Sequence, residues 1–406
     1  MYINKQRLWN HLIELSSIGK NPDGSITRWA FTKEDEQAAR LLMQWMQEAG
    51  LKVRQDAVGN VIGILEGKNP ELPPIVCGSH FDTVKNGGMF DGCLGVLAGI
   101  EALQTCIEHQ YIIERTIQVI GFRDEEGNRF GYGMIGSHSI CGNVDEAGLD
   151  SLDEQGISLS NAMKICNYHP ELYKTCKLPS IHAYFELHIE QANILNTANK
   201  PIGIVEGIAG LERYTIKVQG KSNHAGATPM QFRKDPVEAM SFWIQKITQL
   251  ACSYPHTVAT IGSIHTYPGA CNIICDSVEF SLDIRSLQED IIHEIMNQME
   301  CIEKEYASQK GIIFTKTQDQ YLPSLLCDEK LKNTIETCCK NYHIPYEFLA
   351  SGAGHDCMNF KNVCPAAMIF VRSQNEGCSH CKEEFSTMED CCTGCQILLD
   401  TILTEN

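Results

Sequence analysis

Cys77-Gly78-Ser79-His80-Phe81-Asp82-Thr83-Val84-Lys85-Asn86-Gly87-Gly88-Met89-Phe90-Asp91-Gly92 follows an apolar run, Pro74 to Val76, that reads as a short buried strand. On extended backbone, His80 and Asp82 point to the same side. Gly87, Gly88 and Gly92 let the chain turn tightly, and Asp91 arrives just before a helix-like run, Leu94 to Leu103. A histidine, two aspartates and a sharp loop at a strand end suit the start of a metal site. The same letters also suit a polar strand-end loop with a solvated histidine. Further ligands must come from the rest of the chain.

Upstream, apolar spacing predicts helices over 5–16 (Leu8, Leu12, Ile13) and 33–49, the second ended by Gly50. Residues 51–55 and 61–65 read as strands. Strand 74–78, helix 92–108 and strand 116–122 continue an α/β alternation. Phe122-Arg123-Asp124-Glu125-Glu126-Gly127 sits at the end of that last strand, where open α/β sheets bind ligands. No pattern emerges over 143–180. Residues 183–191 then read as a strand with Glu186, His188 and Glu190 on one face.

From about Gly207 the pattern changes. Strand 212–218 precedes a helix opened by Asp235 as N-cap, Pro236 and Glu238. Strands follow over 257–265 and 277–285. Ser286-Leu287-Gln288-Glu289 has the form of a capping box for a helix to about Ser308, and 311–316 is a last strand. The order βαββαβ is that of the split ferredoxin-like unit. It predicts an inserted domain over 208–324 within an outer domain of 1–207 and 325–406. A helix around 328–341 and short strands resume the outer domain.

The chain of 406 residues is long enough for two domains. Its net charge of −18, without basic clusters, argues against nucleic acid or an anionic membrane as partner. No apolar run reaches the length of a membrane span, and the N-terminal residues lack the apolar core of a signal peptide. A cytoplasmic location is the expectation. The 20 cysteines, with Cys338-Cys339 and Cys391-Cys392 adjacent, suit free buried thiols in a reducing compartment. Cys378-x-x-Cys381 and Cys392-x-x-Cys395 have the letters of a structural zinc site, on a short spacer in a cysteine-rich chain. Gly131-Tyr132-Gly133-Met134-Ile135-Gly136 matches a dinucleotide fingerprint in letters only, because it does not open the first βαβ unit. His355-Asp356 reads as a backbone-shaping pair in a glycine-rich loop, and His138 and His182 as structural.

Candidate ligands therefore lie on separate segments: His80 with Asp82, Asp91, Glu125-Glu126, His188 and His380. Nitrogen and carboxylate donors suit zinc, manganese, cobalt or nickel. Adjacent glutamates diverge on a strand, so one can bind metal while the other serves as a base.

Gly78 to Gly88 with Asp91-Gly92, Asp124 to Phe130 and Glu186 to Gln191 run in the order of the M20 metallohydrolases. Asn223 to Met230, Ser351 to Asp356, and Met368 to Val371 leading to Ser379-His380 continue it. The chain resembles that family, in its branch of N-carbamoyl-L-amino-acid hydrolases, allantoate amidohydrolases and β-ureidopropionases. His188, and the Asn86-Gly87-Gly88 before Asp91, resemble that branch more than the M20 peptidases. The resemblance implies a zinc-peptidase-like sheet domain, a lid that also dimerises, and two divalent ions per subunit. Asp91 would bridge them, His80 and His188 completing one ion's ligands, Glu126 and His380 the other's. Glu125 would be the general base and Asp82 would orient His80. His224 would reach a partner's site in a homodimer and stabilise the oxyanion. Asn272 and Arg285 would grip a substrate carboxylate, and Gln191 the ureido group.

The implied reaction is hydrolysis of a linear ureido amide on a carboxylic acid, releasing ammonia and CO2. The alternatives are an M20 aminoacylase or peptidase acting on N-acyl amino acids or dipeptides, and a non-catalytic metal- or ligand-binding protein. Ala192, Arg372 and Asn375 to Cys378 depart from the family pattern without removing a ligand.

Overall fold

Strands Ile75–His80, Ile117–Phe122, Ala183–Ile189 and Ala366–Val371 are buried at every residue. Such unbroken apolar runs belong to a parallel sheet covered on both faces. In the computed structural model, which describes residues 1–406, they pair in parallel in the order 117–122, 75–80, 183–189, 366–371. Antiparallel strands Val61–Leu65 and Lys52–Gln55 extend one side, and Ile202–Ile208 the other. Helix Cys93–Glu108 lies against the central strands, and helix Met388–Glu405 against it and Ala366–Val371. Helix Lys33–Glu48 covers the first two strands; Thr32 caps it and Gly50 follows it at φ +85°. No helix is long and apolar enough to cross a membrane.

The chain divides into two compact units, 1–206 with 327–406, and 207–326. In the second, strands run in the order Ile264–Tyr267, Ser277–Ser286, Gly210–Gln219, Ile313–Leu322. All pairs are antiparallel, with Thr257–Thr260 also on Ser277–Ser286. Helices Pro236–Cys252 and Glu289–Lys310 pack on this sheet around Trp243, Phe280, Leu282 and Ile295. The Trp243 indole N–H donates to Glu303 at 2.8 Å, which satisfies its one polar atom.

Several expectations about this unit need correction. The strand expected over 257–265 is broken at 261–263, where Ser281 Oγ accepts the N–H groups of Gly262 and Ser263 at 3.2 and 3.0 Å. The last strand runs on to Leu322 past an irregularity between Gln318 and Gln320. Ser286 is not the N-cap of the second helix: that helix starts at Glu289, whose carboxylate accepts from Ser324 N and the Tyr321 hydroxyl. Asp235 caps the first helix as expected, accepting Val237 N at 3.0 Å. A two-stranded ribbon, Asn223–His224 with Ile273–Ile274, was not expected at all.

In the first unit, the region 143–180 holds the short helices Glu146–Asp150, Leu159–Ile165 and Pro170–Cys176. The strand expected over 183–191 ends at Ile189. Glu190 turns away to accept Ile194 N and Leu195 N, capping helix Ile194–Ala198. The four-cysteine cluster does not form. Cys378 and Cys381 are joined to each other as a disulfide, also against the expectation of free thiols throughout. Cys392 and Cys395 are buried on helix Met388–Glu405.

Candidate metal centre

The four parallel strands end on one side of the sheet, and each delivers part of one cluster. Ile75–His80 ends in His80, and Ile117–Phe122 leads into Glu125 and Glu126. Ala183–Ile189 carries His188, and Ala366–Val371 leads toward His380. Asp91 enters from the loop before helix Cys93–Glu108. Gly92 in that loop has φ +62°, and a Cβ there would run into the His80 ring. Glycine thus provides both the turn and the close approach.

Asp91 is the centre of the cluster. Its Oδ1 lies 3.2 Å from both His80 Nε2 and His188 Nε2. Its Oδ2 lies 3.3 Å from His380 Nε2, which is also 3.3 Å from Glu126 Oε1. Two groups able to hold a cation result, His80–Asp91–His188 and Asp91–Glu126–His380. A third grouping, His80–Glu125–Glu126, overlaps them, with His80 Nε2 3.9 Å from Glu125 Oε2.

Hydrogen bonds at the far ring nitrogens fix the histidines. His188 Nδ1 donates to Ile189 O at 2.9 Å, while its Nε2 accepts Gly92 N at 3.1 Å. His80 Nδ1 donates to Asp82 O at 3.2 Å; the Asp82 carboxylate is farther, at 3.6 Å. Both rings are therefore turned with Nε2 toward Asp91 Oδ1. Asp82 does a second job: its two oxygens accept Glu125 N and Glu126 N at 3.2 and 3.3 Å. His355 stacks edge-on against His188 at 4.5 Å between ring centroids and bonds Ser351 Oγ at 2.9 Å. Asp356 accepts from Ser137 Oγ instead of pairing with His355. Glu186, on the strand face of His188, accepts Ser79 Oγ and Cys357 N at 2.7 and 2.9 Å.

Asp82, Asp91, Glu125 and Glu126 are buried or nearly so, and their ion-pair partners are histidines, not lysine or arginine. Burial pushes the Glu125 and Glu126 carboxyls above their ordinary range. Burial would raise Asp91 too, but the three histidines hold it well below. Asp91 and Glu126 draw His380 up to about 11. Imidazole nitrogens and carboxylates converge on one place with no lysine or arginine among their ion-pair partners, a donor set that fits divalent cations with nitrogen and oxygen ligands.

Two residues of the site, Ser379 and Glu384, lie outside the expected set. The Ser379 hydroxyl bridges Asp91 Oδ2 at 2.9 Å and Glu384 Oε2 at 2.8 Å. Burial, with Asp91 adding to it, pushes Glu384 up to about 7. The one sequence signal for Glu384 is its place four residues after His380. Gln191, at φ +57°, donates from Nε2 to Asp91 Oδ2 at 2.7 Å, and its Oε1 is buried without a partner. Arg372 turns away to Asp390 and Asn199.

Residues 76–404 match Peptidase family M20/M25/M40. The chain belongs to this family. It is 43% identical over 402 residues, 98% of each chain, to the N-carbamoyl-L-amino acid amidohydrolase of Geobacillus stearothermophilus. It is 34% identical to the allantoate amidohydrolase of Bacillus subtilis over 98% of this chain and 97% of that one. Among solved structures, an amidase of the hydantoinase/carbamoylase family from Burkholderia multivorans superposes with a TM-score of 0.93 at 31% identity. That match covers 100% of this chain and 98% of the other. The mixed α/β fold is that of these M20 members.

The second unit carries three more expected residues. His224 is exposed on the short ribbon, and its Nδ1 accepts Gly226 N and Ala227 N at 3.0 and 3.1 Å. The hydrogen therefore sits on Nε2, pointing outward as a donor. Asn272 O accepts Ala225 N at 3.0 Å, which puts Asn272 beside the His224 turn. Arg285 makes two bonds to Asp283, at 2.8 and 3.1 Å, and Arg213 shares that carboxylate at 2.9 Å.

Proposed function

We propose that this protein is a two-metal amidohydrolase that cleaves the linear ureido amide of an N-carbamoyl-L-amino acid or of allantoate, releasing ammonia and CO2. The observation that carries the reading is Asp91: one oxygen faces His80 and His188, the other faces His380, and Glu126 is beside His380. The names of the relatives, amidohydrolases of carbamoyl amino acids and allantoate, support the substrate class.

Asp91 is assigned as the bridging ligand, His80 and His188 as ligands on one side, Glu126 and His380 on the other. Bound there, two divalent ions, zinc or manganese with cobalt and nickel also suited to these donors, supply Lewis acidity toward water and the ureido carbonyl. Glu125 takes a proton from the attacking water at its carboxylate. Glu125 keeps that proton at its carboxylate until the C–N bond breaks. Glu125 then returns the proton to the leaving nitrogen. His224 offers its Nε2–H to the developing oxyanion, across a homodimer. Arg285 and Asn272 hold the substrate carboxylate, and Gln191 contacts the ureido group. A small ureido acid is the partner, in the cytoplasm; every cysteine other than Cys378 and Cys381 is free, which suits a reducing compartment.

Ammonia release from allantoate, several N-carbamoyl-L-amino acids, N-acetyl amino acids and dipeptides, with manganese and with zinc, tests the reading. Turnover confined to the ureido acids supports it. Turnover of the acyl or dipeptide substrates alone, or of none with metal bound, overturns it.

A further inference from the structure

Of the cluster's three histidines, His380 has the least to hold it. His80 and His188 are buried in the sheet at 2% and 1% exposure, whereas the His380 side chain is 49% exposed. It sits on a loop in which Asn375, Glu376, Gly377 and His380 itself all have positive φ, from 52° to 75°. Such a conformation persists only where neighbours fix it. Glu384, buried at 5% exposure, is placed to do so. Its Oε1 accepts Phe90 N and Asp91 N at 2.8 and 3.1 Å. Its Oε2 lies 2.8 Å from the hydroxyl of Ser379, the residue before His380. Ser379 in turn reaches Asp91 Oδ2 at 2.9 Å. Gly88 keeps the place open, because a Cβ there would collide with the Glu384 carboxyl.

One side chain thus joins the Asp91 main chain, the Asp91 Oδ2 oxygen and the root of the His380 loop. We propose that Glu384 is a positioning residue for one half of the centre: it sets cation affinity at Asp91–Glu126–His380 and leaves His80–Asp91–His188 largely alone. The asymmetry follows from which oxygen is touched. Oδ1 is held by two histidines whose own anchors, Ile189 O and Asp82 O, are independent of Glu384. Oδ2 is held by Ser379 together with Gln191, and His380 follows Ser379 directly in the chain. The inference rests on the two-metal reading above.

The test is a titration of Mn2+ into the metal-free full chain, followed by calorimetry and by counting bound metal per chain. The expected result is two ions for the unaltered protein. Glu384→Ala keeps one site at wild-type affinity and weakens the other about 10- to 100-fold. Glu384→Gln stays near wild type, since its carbonyl accepts the two N–H groups and its amide donates to Ser379 Oγ. If Glu384→Ala fails to fold by circular dichroism, Ser379→Ala takes its place, with the same one-sided loss expected. Equal weakening of both sites, or of neither, overturns the assignment. A wild-type chain that takes up fewer than two ions defeats the two-metal reading itself and the assignment with it.

Discussion

The Asp82 carboxylate accepts the backbone N–H of Glu125 at 3.2 Å, across 43 residues of sequence. Its second oxygen does the same for Glu126 at 3.3 Å. Asp82 therefore ties the His80 strand to the loop that carries the base and a ligand. Asn at this position can accept only one of those N–H groups and would turn an NH2 against the other. Asp82→Asn is expected to lower kcat/KM about 10- to 100-fold, the usual cost of losing a group that orients ligands. Steady-state ammonia release at saturating metal checks it; an unchanged kcat/KM would leave Asp82 without this role.

Glu125 and Glu126 are neighbours with different surroundings. Glu126 is within 3.3 Å of His380, whereas Glu125 approaches His80 only to 3.9 Å. Glu125→Gln is expected to cut kcat by about 10²- to 10⁴-fold, the range for a lost general base, with metal content unchanged. Metal analysis beside the rate assay separates the roles. Loss of an ion would make Glu125 a ligand, through the His80–Glu125–Glu126 grouping.

His224 can be removed with little structural cost, since it is exposed and its ring bonds only Gly226 N and Ala227 N of its own turn. His224→Ala is expected to lower kcat about 10²- to 10³-fold, as for a lost oxyanion donor, and to move Tm little. A melting curve and a single-turnover rate together test this; an unchanged rate refutes the oxyanion role.

How far the sequence shows this site depends on what each residue needs. His80, Glu126, His188 and His380 are legible because ligand-type side chains lie in or after apolar strand runs, where an α/β sheet gathers them, and Asp91 because it stands between a glycine-rich turn and a helix-like run. Glu384 is not legible. It is the second glutamate of a Lys-Glu-Glu stretch that looks solvated, and its partners Phe90 N and Asp91 N lie almost 300 residues upstream. The ribbon Asn223–His224 with Ile273–Ile274 is too short to leave a periodic pattern. Ser286 failed as a cap because Glu289 is drawn to Ser324 and Tyr321, a tertiary pairing that overrides the local box.

The N-terminal helix carries a pH dependence of its own. His11 stacks on Trp45 with ring centroids 4.1 Å apart, and burial, with Arg7 adding to it, pushes the imidazole down to about 4. The unfolded chain binds this proton more readily than the fold does, because an unperturbed histidine titrates near 6.5. His11 therefore costs nothing above about pH 6.5 and destabilises the fold progressively as pH falls toward 4. His11→Phe keeps the stack without the proton. Its Tm is expected to fall less between pH 7 and pH 5 than that of the unaltered protein; an equal fall would rule His11 out.

The paired CxxC letters make the last prediction. Cys378 and Cys381 are bonded to each other, and Cys392 and Cys395 face inward from helix Met388–Glu405. Cys392 Sγ lies 3.7 Å from Lys5 O, and Cys395 Sγ 3.5 Å from Ala98 O. Zinc needs thiolates, and burial holds the Cys395 thiol well above its ordinary range. Cys392→Ala with Cys395→Ala is therefore expected to leave the metal content per chain unchanged. Stability should fall by about 1–3 kcal/mol, as for small buried truncations. Loss of one zinc ion from the double variant, measured on purified protein, would restore a structural zinc site that the geometry argues against.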